Sequence, residues 1–158
     1  MNTLEFYKKD GNVYVFKNQP VFMTVVSIFF LTVGIITFNS IRVLSLLMFL
    51  VVVFIIINFF AKKFVIDPDR QTVTGKHSIF VPAQTYSIQD FTNFEVIATK
   101  YMFITANVMV SMHFNINGKD KQLTIGQSLT KKGIQKMVNE TEDIMNSNQQ
   151  GNERHRPL

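Results

Sequence analysis

The sequence predicts a membrane chain of mixed α and β structure: a two-helix transmembrane hairpin carrying an antiparallel β-rich domain that one C-terminal helix closes. Three observations predict it. Two uncharged apolar runs, 21–38 and 43–60, flank a short polar break. Beyond them the texture changes to short alternating segments separated by turn residues. The last of these segments gives way to apolar residues at helical spacing. Of the 158 residues, those outside lipid suffice for one small domain with one core. The hydrophobic fraction of 47% is close to the globular average, so the distribution of apolar residues carries the signal. There is no cysteine, which excludes disulfides, thiolate catalysis and Cys-based metal sites. A formal net charge of +5, spread along the chain, suits contact with anionic lipid and not the gripping of nucleic acid.

The element order follows from local chemistry. LEFYKKDGNVYVFK, within residues 1–19, reads as a β-hairpin, with Asp10-Gly11 as a type I′ turn signal between alternating segments. Two strands alone are marginal in water, so the hairpin is expected to join or cover the later sheet. Residues 20–61 form the helical hairpin. The span 21–38 covers about 27 Å as a helix, close to the hydrocarbon thickness of a bilayer. Pro20 suits its first turn. Two such runs separated only by Asn39, Ser40, Ile41 and Arg42 argue against buried helices of a soluble protein, and the position and flanks of the first argue against a cleaved signal peptide. Lys8, Lys9 and Lys17 precede the first span and Lys62 and Lys63 follow the second, against Arg42 alone in the turn. The positive-inside bias therefore puts both termini in the cytoplasm of a multi-pass inner (plasma) membrane protein. Neither span holds an ionisable residue in its interior. Ser27 and Gly34, seven apart, are candidate helix-packing positions.

Residues 62–146 read as the β domain and its helix. Strands are expected at 64–67, 71–76, 78–81, 85–88, 94–99, 108–116 and 121–125, with turns at Pro68-Asp69-Arg70 and Asn117-Gly118. The clearest is 108–116, where Val108, Val110, Met112, Phe114 and Ile116 alternate with Met109, Ser111, His113 and Asn115. From Thr130 to Asn146, Ile134, Met137, Val138, Thr141, Ile144 and Met145 fall on one helical stripe. Basic residues at its start and acids near its end oppose the helix dipole, so packing must hold it. The polar tail 147–158 is expected to be disordered.

The membrane hairpin, FVIDPDRQTVTG directly after it, VPAQTYSIQDFTNFEV, and the final strand pair plus helix together resemble the small bacterial pleckstrin-homology-like (PH-like) membrane proteins. The resemblance is architectural and spans nearly all of the chain after Val21, with the N-terminal hairpin as an addition. It implies a PH-like cytoplasmic domain. The basic lipid-binding loop of eukaryotic relatives has no counterpart here.

No phosphate loop, nucleophile elbow or paired metal-binding histidine is present, so no catalytic residue, metal site or cofactor is expected. His77, His113 and His155 are isolated, with His113 on the polar face of its strand. Asp67 and Asp69 read as turn residues, and nothing pairs Asp90 with Glu95. Lys62, Lys63, Arg70 and Lys76 cluster after the second span as possible anionic-lipid contacts, beside the plainer reading as a topology signal. The expected function is a non-enzymatic membrane-anchored protein-binding module. Its partners would be the bilayer and either another protein or a second copy, with no nucleic acid. An immunity protein against a membrane-targeting bacterial toxin and an accessory subunit of a membrane transport complex are the alternatives.

Overall fold

Alternation and turn chemistry set the strands, and the apolar runs set the first two helices. The computed structural model describes residues 4–101, 104–128 and 130–153. Its elements are β1 (Tyr7–Asp10), β2 (Val13–Phe16), α1 (Val21–Thr37), α2 (Arg42–Ala61), β3 (Lys63–Asp67), β4 (Thr72–Lys76) and β5 (Gln84–Ser87). A 3₁₀ turn (Ile88–Asp90) leads on to β6 (Phe91–Tyr101), β7 (Ile104–Ile116), β8 (Lys119–Ser128) and α3 (Lys131–Glu153). The chain is thus α+β. β1-β2-β3-β4-β5 form one antiparallel sheet and β6-β7-β8 a second, each in sequence order.

One pairing organises the rest. β2 lies beside β3, with Tyr14 opposite Ile66 and Val15 opposite Val65, although both α1 and α2 separate them in sequence. The N-terminal hairpin is therefore part of the domain's own sheet, and the helical pair is an insertion between two neighbouring strands. α1 and α2 pack against each other through a narrow seam. The Ser45 hydroxyl donates to the Gly34 carbonyl at 2.6 Å. A Cβ on Gly34 would lie 2.9 Å from Cε1 of Phe49, so the missing side chain is what admits that ring. At the base of the pair, Asn18 Nδ2 donates to the carbonyls of Lys62 at 3.0 Å and Phe59 at 3.4 Å, satisfying backbone acceptors left over at the end of α2. α2, with 20 residues, is long and apolar enough to cross a membrane; α1 is equally apolar but shorter, at 17.

The two sheets share one core. Phe64, Ile66 and Val73 come from the first, Val108, Val110, Met112, Phe114 and Leu123 from the second, and Ile134, Met137, Ile144 and Met145 from α3. Burying those four helix side chains contributes about 1.5–3 kcal/mol each as an upper bound. That outweighs the roughly 0.3–1 kcal/mol by which each of Lys131 and Lys132 in the first turn opposes the dipole; the acids Glu140, Glu142 and Asp143 lie mid-helix, because α3 continues to Glu153. α3 is also tied to β1. The Glu140 carboxylate accepts from the backbone N–H of Phe6 at 3.1 Å and of Tyr7 at 3.3 Å, and the Tyr7 hydroxyl meets Thr141 Oγ1 at 2.7 Å.

Four details depart from the sequence expectation. Residues 78–81 are a loop, not a strand: Ser78 Oγ accepts from the Phe80 N–H and Asn58 Oδ1 from the Ile79 N–H, which takes those donors away from any ladder. The segment after it is strand only through Ser87, then turns as 3₁₀. The first hairpin turns on Gly11-Asn12, with positive φ at Gly11 alone, the pattern of a type II′ turn; Asn117-Gly118, both positive, is type I′. Finally, α3 runs to Glu153, past the expected end at Asn146 and into the segment expected to be disordered, because extending a formed helix is far easier than starting one. Residues 154–158 of that tail lie outside the described residues.

Candidate functional site

The join between helices and sheet gathers the charge. Only Lys62 separates α2 from β3, so the strand begins at the foot of the helix. Lys63 opens β3 and pairs in register with Lys76, the last residue of β4. His77 follows. Three lysines and an imidazole thus meet at the end of the β3–β4 pair nearest the helices. They border a cleft of about 410 Å³ whose wall continues through Asn18 and Gln19, along Phe22, Met23, Val26, Ile55 and Asn58 of the helices, and across Phe64, Met109 and Ile125 of the two sheets. Among the described residues no carboxylate lines it. Burial, and secondarily the charge of Lys62, hold the His77 imidazole below its usual pKa, so at neutral pH the positive charge comes from the lysines. The cleft has one cationic polar wall and one apolar wall, an arrangement suited to binding.

Of the four basic residues singled out from the sequence, three come together and one does not. Arg70 sits in the turn at the opposite end of β3, about 15 Å further along the strand direction. Its side chain is 83% exposed and lies 3.7 Å from Asp67, whose other carboxylate oxygen accepts from the Arg70 N–H in an Asx-type turn. Ser27 and Gly34 are both buried; Gly34 lies in the α1–α2 seam against Phe49, and the Ser27 hydroxyl donates to Met23 Sδ one turn back at 3.6 Å. Asn18, Asn58 and His77 were not identified as site residues from the sequence. Nothing local marks them; only the insertion of the helices between β2 and β3 brings them beside the lysines.

A second cluster lies on the outer face of the three-stranded sheet. His113 Nδ1 is 2.8 Å from Asp120 Oδ2 on β8, and its Nε2 is 3.0 Å from Glu95 Oε2 on β6. The Asp120 hydrogen bond leads, with Glu95 adding to it, in raising the His113 pKa. With both ring nitrogens directed at carboxylates, the imidazole is a cross-strand link whose protonated form the two acids favour. The outward position of His113 was visible in the alternation of its strand, but its register against Glu95 and Asp120 on the neighbouring strands was not. Among the described residues no group of His, Asp and Glu has the arrangement to hold a metal ion.

A third feature adjoins the cleft. Ile79, Phe80 and Val81 are exposed, Phe80 by 80%, in the loop that Asn58 of α2 holds through the Ile79 N–H. No protein family, curated protein or solved structure matches the chain.

Proposed function

We propose that the chain is a membrane-anchored, non-catalytic binding module: a PH-like β domain held at the cytoplasmic face of an inner (plasma) membrane by a two-span hairpin, with both termini cytoplasmic. The observation that carries this reading is the insertion of α1 and α2 between β2 and β3. Strands that pair must lie on one side of a membrane, so helices between them cross it twice or not at all. The outward faces of both helices favour crossing. Val25, Phe29, Ile36, Leu46, Val53 and Phe60 are all exposed, a continuous apolar surface much larger than a water-soluble protein leaves uncovered. At 17 residues α1 spans about 26 Å, a mismatch that slight thinning of the bilayer and flanking polar residues accommodate. Lys8, Lys9, Lys17, Lys62 and Lys63 on the sheet side, against Arg42 at the far turn, set the orientation. The exposed Ile79–Val81 loop, beside the foot of α2, adds a third apolar contact at the same level.

Five meandering strands, then three, then a terminal helix support the PH-like architecture, with the first two strands and the helical pair as additions. The edge of β6, where Val96 is 51% and Ile97 41% exposed, is the surface offered to a protein partner or a second copy by strand addition.

The absence of cysteine makes the test direct. Ser40→Cys should react with a membrane-impermeant maleimide in intact cells, whereas Asn12→Cys and Gln89→Cys should react only after lysis. Labelling of all three, or of none, in intact cells refutes the topology. Affinity purification in mild detergent then addresses binding: a stoichiometric partner or a defined oligomer, lost on Val96→Lys, supports the module. A toxin as that partner would make the chain an immunity protein, and a transporter would make it an accessory subunit. A lone monomer refutes protein binding.

A further inference from the structure

We infer that the cleft between the helical hairpin and the β3–β4 pair is a site for one anionic phospholipid of the adjoining leaflet, its phosphate met by Lys62, Lys63 and Lys76 and its upper acyl segment by Phe22 and Val26. The inference rests on the membrane-anchored reading above and names a ligand for it.

The cavity's own asymmetry selects that occupant. Its cationic wall is built from the residues where α2 gives way to β3, the depth at which a bilayer's hydrocarbon gives way to headgroups. Its apolar wall is built from the helices and extends toward the hydrocarbon. The polar-to-apolar direction of the cleft therefore matches that of a phospholipid standing in the leaflet beside it. Three lysines line the cleft with no carboxylate among the described lining residues to offset their charge. A free anion would answer the lysines but leave Phe22, Val26 and Ile55 facing water. A neutral lipid would cover the apolar wall and leave the lysines unanswered. An anionic diacyl lipid does both, and about 410 Å³ falls within the range of small-molecule sites, room for a headgroup and the top of a chain. An anion beside His77 would raise the imidazole pKa that burial and Lys62 hold down, which gives the site an internal reporter.

The full chain, purified in mild detergent and stripped of lipid, would be titrated with phosphatidylglycerol, phosphatidylcholine and inorganic phosphate and read by native mass spectrometry. The expected result is one phosphatidylglycerol per chain, bound at least about tenfold more tightly than phosphatidylcholine and not displaced by millimolar phosphate. Lys62→Gln, Lys63→Gln and Lys76→Gln should each weaken it roughly fivefold, and the triple variant roughly a hundredfold. Arg70→Gln, which removes the same charge outside the cleft, should leave binding unchanged. Should the triple variant misfold by circular dichroism, Lys76→Gln alone carries the comparison. In the wild-type chain the His77 imidazole should titrate at higher pH with phosphatidylglycerol bound than without, a change that a merely structural role for the lysines would not produce. Equal binding of the two lipids, equal weakening by Arg70→Gln, or displacement by phosphate overturns the inference. A chain that alkaline carbonate leaves in the membrane yet holds no anionic lipid overturns this inference alone. A chain that carbonate extracts overturns the anchored reading beneath it.

Discussion

The tie between β1 and α3 yields a test whose sign changes with background. Tyr7 is 1% exposed, and its hydroxyl lies 2.7 Å from Thr141 Oγ1, which in turn donates to the Met137 carbonyl at 2.7 Å. Threonine has one hydroxyl proton, and Met137 takes it, so Tyr7 is the donor in the first bond. Burial raises the Tyr7 pKa far above its ordinary value, so that donor stays protonated throughout the useful pH range. Tyr7→Phe removes the donor and leaves Thr141 still bonded to Met137, so the loss is one net hydrogen bond, about 1 kcal/mol. Thr141→Val keeps the shape but strands a buried phenolic O–H, at roughly 1–3 kcal/mol. With both changes no polar atom is left unpaired. Tyr7→Phe should therefore destabilise the wild type and stabilise the Thr141→Val protein. Urea unfolding of the β domain in mild detergent, followed by near-ultraviolet circular dichroism, gives the four midpoints. If Tyr7→Phe lowers the midpoint further in the Thr141→Val background, the Tyr7 hydroxyl has a partner other than Thr141 and the reasoning fails.

Three further outcomes follow from other contacts. His113 has a folded-state pKa raised by Asp120 and Glu95, so its stabilisation is fully present below the unfolded pKa of about 6.5 and is lost as pH rises through the folded value. The urea-midpoint difference between wild type and His113→Gln should accordingly shrink from pH 5.5 to 8.5, and a pH-independent difference would contradict the link. At Gly126 a Cβ would sit 2.6 Å from Cζ of Phe16, a ring held by Phe6, Tyr7 and Phe64 at centroid distances of 5.4–6.5 Å. Gly126→Ala should therefore destabilise the β domain by about 1–3 kcal/mol in the same urea assay. In the helical seam, Ser45→Ala loses the bond to the Gly34 carbonyl, which should weaken α1–α2 association by roughly 0.6 kcal/mol and at most about 1.7. Energy transfer between labels on the two helices during denaturation in detergent would measure it.

Much of the architecture was legible because it rests on local patterns. The alternation from Val108 to Phe114 marks a strand whose inward residues are fully buried. The stripe from Ile134 to Met145 marks the face α3 turns to the core, and two uncharged runs mark α1 and α2. Residues 78–81 misled because Ile79, Phe80 and Val81 have the composition of a strand; a strand also needs a partner, and Ser78 and Asn58 take the backbone donors first. Lys62 and Lys63 were suggestive by adjacency, but only the register placing Lys63 opposite Lys76 brings the latter in and sends Arg70 to the far end. The cleft itself draws on residues from Phe16 to Gln127. No window of sequence holds it.

The placement of the helical pair between β2 and β3 also bears on how the domain comes to exist. Bringing two strands together across so long a connection normally exacts a loop-closure penalty and slows folding. Here the connection is itself a folded object, and Asn18 already touches the carbonyls of Phe59 and Lys62 at its two ends. Packing of α1 on α2 would bring the adjoining ends of β2 and β3 together and so meet much of that closure penalty in advance. During synthesis β1 and β2 must wait with an unfilled edge until the second helix has emerged and folded back. Packing of α1 on α2 would thus be the nucleation event for the sheet that flanks them. A defect in the packing of α1 on α2 would leave the edge of β2 exposed and aggregation-prone, so damage within the helical pair would first be seen as misfolding of the sheet.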